Sequence, residues 1–354
     1  MATKKITKKA KKKKQYSGIL IISILAFVLS LCFYVVIFQG ATRFEKEESL
    51  LLIPSNSPNK EFVKPWLKQN LHAVHFSTFM MLAECFGYWD KIKAGKYTIA
   101  KGTSVFKIFR KLYGGQQNIV RITINKFRTK KDLAKYLGEK LEYPEQNFYQ
   151  FFTNQDSLES FGLEQEKLMT IIIPNTYELY WNCSPQEFIA KMLKESSRFW
   201  DENRINNAAA LGFSKEEVYI IASIIEEETN NNAEKPLMAS VYINRLQSGM
   251  PLGADPTIKF AVGDFSIKRV NLNHINSTAN SPYNTYRNKG LPPGPICTPS
   301  IASIDAVLKG EKTTFLFFCA KADLSGSHSF ATTEEEHFAN ARNYRKVLDS
   351  LRIH

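Results

Sequence analysis

Apolar positions along this chain fall into three patterns. The first is an unbroken run from Gly18 to Phe38, rich in Ile, Leu, Val and Phe and free of charge. That length suffices to cross the hydrocarbon core of a bilayer as a helix, so residues 18–39 are expected to be a transmembrane segment. The second is a set of short alternations at Leu50–Pro54, Ala94–Ile99 and Ile119–Ile124, which read as half-covered strands. The third is helical. It covers residues 60–69 and 76–86, a segment capped by Ser104 that runs through Leu112 to Gly114-Gly115, and most of 126–210 apart from a break at Ile171–Tyr177. A helix over 214–228 opens with a capping box, Ser214 with Glu217, and another over Ala233–Ser248 is ended by Gly249. Met250–Pro299 is heavy in Gly, Pro, Asn and Tyr and reads as one irregular segment, of a length that usually carries function. Strands at Phe315–Ala320 and Ser327–Ala331 and a helix over 334–351 close the chain. The order predicts an α+β protein: a transmembrane helix, a small α+β module, then a larger mixed α+β domain.

Composition narrows the class. With 44% hydrophobic and 23% charged residues the chain is globular and not disordered. Its net charge of +13 is mostly a tail, because residues 1–14 hold eight lysines and no acid. Beside a membrane span that cluster is a topology signal. The positive-inside rule keeps residues 1–17 in the cytoplasm and puts the chain from about residue 41 outside, at the outer face of the plasma (inner) membrane or in the periplasm. Nucleic acid is not an expected partner. A cleaved signal peptide is disfavoured, since Val36–Ala41 lacks a small-x-small pattern. The five cysteines show no C-x-x-C spacing and read mainly as small buried hydrophobes. His72 and His75 have helical metal-site spacing but no nearby Cys or acid to complete a set, so no metal is expected. No cofactor motif is present either: there is no phosphate-cradling glycine loop and no Ser-His-Asp signature.

The densest chemistry lies where the apolar run Val218–Ile225 meets Glu226, Glu227 and Glu228. Carboxylates at a helix C-terminus oppose the macrodipole, so stability gives no reason for them. A carboxyl beside isoleucines has its pKa raised by desolvation, which is what a general acid at neutral pH requires. Glu226 follows Ile225 and lies four residues after Ala222, on the face of the buried stretch. Glu227 is rotated about 100° and is expected to be solvated. Glu228 is one turn from Ile224 and either supports Glu226 or competes with it.

Ala222–Thr229 resembles the catalytic motif of the endolytic murein transglycosylases, membrane-anchored enzymes that cut nascent glycan strands. Further pieces follow in the family's order: Pro174-Asn175-Thr176-Tyr177, Val241–Leu246, Asp255-Pro256-Thr257, Tyr283-Asn284-Thr285-Tyr286, Gly290–Ile296 and His328-Ser329-Phe330. The likeness spans the chain after the anchor. It implies a lytic transglycosylase domain over 119–354 and a LysM-like module over 45–118, the latter carried by Gly95-Lys96-Tyr97 and Gly114-Gly115. Two departures stand out. Ile124-Asn125-Lys126-Phe127 replaces the family's usual Ile-Pro-Glu-Gly, and Asn175 replaces an Asp.

The resemblance implies cleavage of the bond between N-acetylmuramic acid and N-acetylglucosamine, with a 1,6-anhydro ring formed by the muramic 6-hydroxyl and no water added. A tethered nucleophile brings the proximity advantage of an intramolecular reaction. One carboxyl then serves as acid and base, where hydrolytic glycosidases use two. By the motif the catalytic residue is Glu226. Asn244, Asp255, Asn284, Tyr286 and His328 are the candidate substrate-binding residues. A turn role fits Asp255 as well as a ligand role does, and a structural role fits His328 equally. The implied partners are peptidoglycan glycan strands, the membrane and peptidoglycan synthases. Two other readings stay open: a water-using muramidase with Asp255 or Glu228 as second carboxyl, and a cell-wall-binding scaffold without catalysis.

Overall fold

The computed structural model describes residues 2–350. Leu351, the last position of the expected final helix, lies outside them, as do the side chains of the basic tail. Helix α1 (Ala2–Phe38) contains the apolar span, and Ile19–Phe38 is long and apolar enough to cross a membrane. The chain forms two compact units, the first taking in α1, reaching Val120 and including Leu179–Asn182, the second made of 121–178 and the remainder from Cys183.

The first unit contains β1 (Glu48–Ile53), α2 (Lys60–Asn70), α3 (Ala73–Cys85), β2 (Gly95–Ala100) and α4 (Val105–Gly114). β1 and β2 pair antiparallel, with Leu51 opposite Tyr97 and Ile53 opposite Gly95. Their alternation puts Leu51, Ile53, Tyr97 and Ile99 on one buried face, which packs with Val63, Phe79, Ile108 and Leu112 of the helices. Asn59 caps α2 and Ser104 caps α4, each accepting a backbone N–H of the first turn.

Next come β3 (Ile119–Ile124), α5 (Lys130–Lys140), α6 (Glu145–Thr153), α7 (Gln155–Glu159) and β4 (Asn175–Tyr180). β4 pairs with β3, so the apolar break in the helical sequence is the approach to a strand. The helices α8 (Pro185–Phe199), α9 (Glu202–Ala210), α10 (Lys215–Glu228) and α11 (Lys235–Gln247) follow. α12 (Asp255–Val262) and α13 (Leu272–Ser277) lie inside the stretch expected to be irregular. At eight and six residues they hold too few turns to show a period in sequence. α14 (Ile301–Lys309), the antiparallel pair β5 (Phe317–Ala320) and β6 (His328–Ala331), and α15 (Glu334–Ser350) complete the chain.

α10 is the centre of the second unit. Its capping box forms as expected, with Ser214 Oγ accepting from Glu217 N and Glu217 accepting from Ser214 N. Every residue from Val218 to Ile225 is buried, and α11, α12 and α14 pack around it. Each such Ile or Val contributes about 1.5–3 kcal/mol by leaving water. An acid at the wrong helix end costs about 0.3–1 kcal/mol. Burial therefore wins, and the helix carries its carboxylates into the protein.

α5 and α6 pack so closely that a Cβ on Gly138 would stand 2.3 Å from Glu145 N. Gly138→Ala should destabilise the fold by about 1–3 kcal/mol through overpacking, read as a lower midpoint in urea with an unchanged slope.

Candidate active site

Successive residues at the end of α10 point about 100° apart, and Glu226, Glu227 and Glu228 meet three different environments. Glu226 faces the start of α14. Its Oε2 accepts from Ser300 Oγ at 2.6 Å, Ser300 N at 3.2 Å, Ser303 Oγ at 2.5 Å and Lys235 Nζ at 3.0 Å. Burial pushes its pKa up, but the hydrogen bonds from Ser300, Ser303 and Lys235, with the lysine's charge, outweigh that. The net direction is down. The expectation of a carboxyl held neutral at this position is therefore corrected: Glu226 is a paired anion at a helix N-terminus, where the dipole favours it.

Glu227 also departs from expectation, since only 12% of its side chain is exposed. Arg128 grips it with two bonds, Nε to Oε1 and Nη2 to Oε2, both 2.9 Å, and Lys126 Nζ lies 3.0 Å from Oε1. Burial raises its pKa and these cations more than reverse the shift. The departure at 124–127 thus has a physical counterpart, because Lys126 joins this ion pair and also donates to Glu226 O at 3.2 Å.

Glu228 has no ion pair among the described residues. Tyr242 OH donates to its Oε1 at 2.6 Å. Protein closes around the carboxyl, which keeps only partial exposure where it lines a cleft of about 570 Å³. Burial lifts its pKa to about 7; the Tyr242 bond opposes the lift, the charge of Asp255 adds to it, and Lys259 and Arg245 oppose it more weakly. The raised pKa expected for Glu226 is found two residues further along the helix, at Glu228.

The cleft is built from α11, the segment 250–255, Tyr286, Phe317 and the first turns of α15. Tyr242 and Arg245, one helical turn apart, both line it. Arg245 is spent on structure, donating from Nε to Leu316 O at 2.6 Å and from Nη1 to Leu252 O at 2.7 Å, with its guanidinium over Phe317. Gly253 has φ of +57°, and a Cβ there would sit 3.2 Å from Arg245 Nη1. Thr285 ties the far wall in place: its carbonyl accepts from Gly253 N at 3.0 Å and its hydroxyl from Ala254 N at 3.0 Å. Those bonds bring Tyr286 beside Asp255, and Tyr286 OH donates to Asp255 Oδ1 at 2.5 Å.

Of the other residues singled out in sequence, Asp255 and Tyr286 come to the cleft with Glu228. Asn244 and Asn284 hold backbone, and His328 pairs with a carboxylate. Asn244 Nδ2 donates to Thr313 O at 3.0 Å and Phe315 O at 2.9 Å. Asn284 is fully buried, donating to Ile275 O and Thr278 and accepting from Tyr286 N and Arg287 N. His328 Nδ1 lies 3.0 Å from Glu234 Oε2, and the backbone N–H of His328 donates to Glu234 Oε1 at 2.8 Å. Sequence reasoning missed Tyr242 and Arg245; their i,i+3 spacing beside Asn244 is the signal for one shared face. It also missed the Ser300 and Ser303 contacts to Glu226.

Of the three glutamates ending α10, Glu228 is the one that lines this cleft. The chain belongs to the YceG-like family, whose model matches residues 51–343. It is 28% identical to the endolytic murein transglycosylase of Bacillus subtilis (strain 168), over 72% of this chain and 75% of that protein. It is 25% identical to the endolytic murein transglycosylase of Streptococcus pneumoniae (strain D39), over 90% of this chain but 65% of that longer relative. A crystal structure of a yceG-like protein from Listeria monocytogenes shares the fold, with a TM-score of 0.53 at 24% identity, covering 83% of this chain and 99% of that one.

The position of Glu228 has a measurable consequence for stability. Between pH 4.5 and about 7 the folded protein keeps a proton that the unfolded chain releases, so stability falls as pH rises through that window. Glu228→Gln removes the fall. The variant should match the parent near pH 4 and exceed it at pH 8 by on the order of 2 kcal/mol, measured by urea unfolding at both pH values.

Proposed function

We propose that this chain is a peptidoglycan lytic transglycosylase in which Glu228 is the proton donor. The name carried by its relatives supports the reaction class. The choice of residue rests on one observation: of the three glutamates ending α10, Glu228 alone is lifted into the neutral range and lines the cleft. Its protonated carboxyl gives a proton to the glycosidic oxygen between N-acetylmuramic acid and N-acetylglucosamine. The bond from the muramic C1 to that oxygen breaks, and positive charge develops on C1. The resulting carboxylate takes the proton of the muramic 6-hydroxyl as O6 bonds to C1, which closes the 1,6-anhydro ring and restores the acid. Tyr242 orients the carboxyl through its 2.6 Å bond and stabilises the ionised form between the two steps. Asp255, with Tyr286 on its oxygen, supplies negative charge in the same cleft where C1 becomes positive.

Cleavage within strands, with anhydro ends that terminate elongation, belongs to this proposal. So does the topology: α1 as an uncleaved single-pass anchor, its lysines cytoplasmic, the rest of the chain outside. Residues 45–118 as a LysM-like glycan-binding module and synthases as partners extend the same reading. A second reading, a muramidase that uses water, draws on Asp255 sharing the cleft with Glu228.

Digestion of purified sacculi with product mass analysis separates these possibilities. Muropeptides one water lighter at the muramic end are expected; full-mass reducing ends would establish the hydrolase instead. Glu228→Gln should lower release by at least about 10²-fold with the fold retained. Glu226→Gln should keep lytic activity per folded molecule but lose about 1.5–3 kcal/mol of stability, because Lys235, 4% exposed, loses its charged partner. The opposite outcome, full activity in Glu228→Gln and none in folded Glu226→Gln, would return the role to Glu226. Because the acid must be protonated to act, kcat/KM should fall about tenfold per pH unit once pH exceeds about 7.

A further inference from the structure

The first unit follows the membrane span almost without a linker. α1 ends at Phe38, and Ala41 is already fully buried in the core of the unit. Gln39 N still bonds Val35 O at 2.9 Å, as in a helix that continues one residue further. The segment after it is clamped on both sides. Ala41 N donates to Thr103 O at 3.0 Å, His72 N donates to Ala41 O at 3.1 Å, and Gly102 N donates to Thr42 Oγ1 at 2.8 Å. α3 and α4 both pack on α1, and their first residues directly follow the strand-like bridges that hold this segment.

Two apolar side chains are exposed in those first turns: Phe106 in α4, 36% exposed, and Val74 in α3, 60% exposed. The Phe106 ring lies 5.4 Å from the ring of Phe38, the last residue of the span, and the Tyr34 ring, one turn earlier, lies tilted 4.8 Å from that of Phe38. Twenty helical residues measure about 30 Å, the thickness of the hydrocarbon core. A ring in contact with Phe38 therefore sits at the level where acyl chains meet headgroups. Aromatic rings favour that layer, and the exposed Lys107 beside Phe106 suits anionic headgroups.

We propose that the first unit is seated on the bilayer surface from which α1 emerges, with Phe106 and Val74 in the interfacial layer. The unit is then part of the anchor and not a domain swinging on a tether. A glycan strand reaching it has to lie close to the membrane. This rests on the reading of α1 as a membrane anchor.

The test uses the full chain in phosphatidylethanolamine–phosphatidylglycerol vesicles, with exposed Cys85 and half-buried Cys319 changed to Ser and the buried Cys183 and Cys297 retained. Phe106→Cys and Val74→Cys, each made with Cys32→Ser, carry a fluorophore, and native Cys32 carries it in a third sample. Lipids bearing a nitroxide at the headgroup should remove most of the emission at 106 and 74, and lipids bearing it in mid-chain should remove less. The Cys32 label should show the reverse order. Unquenched labels at 106 and 74 beside a quenched Cys32 would overturn the seating and leave the anchor standing. An unquenched Cys32 label would overturn the anchor and the seating with it.

Discussion

A helix that ends inside a protein with three consecutive carboxylates has to settle three charges in one turn. α10 is committed to this by Val218–Ile225, whose burial outweighs the unfavourable dipole at its C-terminal end. The 100° step between residues prevents a common solution. Glu226 is neutralised by Lys235 and the N-terminus of α14, and Glu227 by Arg128 and Lys126. Glu228 meets a phenol and a cleft. Neighbours of identical chemistry thus acquire three different sets of partners, and the division follows from direction alone.

The cleft depends on the same economy of polar groups. Arg245 and Asn244, adjacent on α11, point their donors at carbonyls of two different segments, 251–252 and 313–316. Asn284 and Thr285 do the same work on the other wall. Irregular backbone near a core leaves carbonyls and N–H groups that helices would pair internally, and each unpaired one costs about 1–3 kcal/mol. The amide-rich motifs of this region answer that demand. Their polarity serves the backbone first, and the aromatic and acidic residues between them, Tyr286 and Asp255, are left free to face the cleft.

That distinction explains what was legible in the sequence. The capping box at Ser214, the strand alternations and the apolar run of α10 are local signals, and the structure carries them. The conflict between Val218–Ile225 and three glutamates was legible as chemistry. How each glutamate is partnered was not, because the deciding partners are remote: Ser300 and Ser303 lie more than seventy positions downstream, and Arg128 about a hundred upstream. Asn284 misled for a related reason. A polar residue in a long loop reads as available for ligand until the carbonyls that consume it, at Ile275 and Thr278, are placed.

The raised pKa of Glu228 is a stability cost maintained by the rest of the fold. At neutral pH its ionised form is disfavoured by burial and by Asp255, and nothing in α10 alone sustains that arrangement. It is sustained by the burial that α11 and the cleft wall impose, against the opposing bond from Tyr242, and by Asp255, held at the start of α12 through Tyr286 and Thr285. Two carboxyls thereby line one cleft, each accepting from a phenol, and burial raises the pKa of Glu228. A site of this kind loses its tuning when any of these supports relaxes, even if the carboxyl itself stays in place. The dense anchoring of the surrounding loops is for that reason part of the chemistry, since a looser wall would admit water and return Glu228 to the ordinary range of a carboxylate.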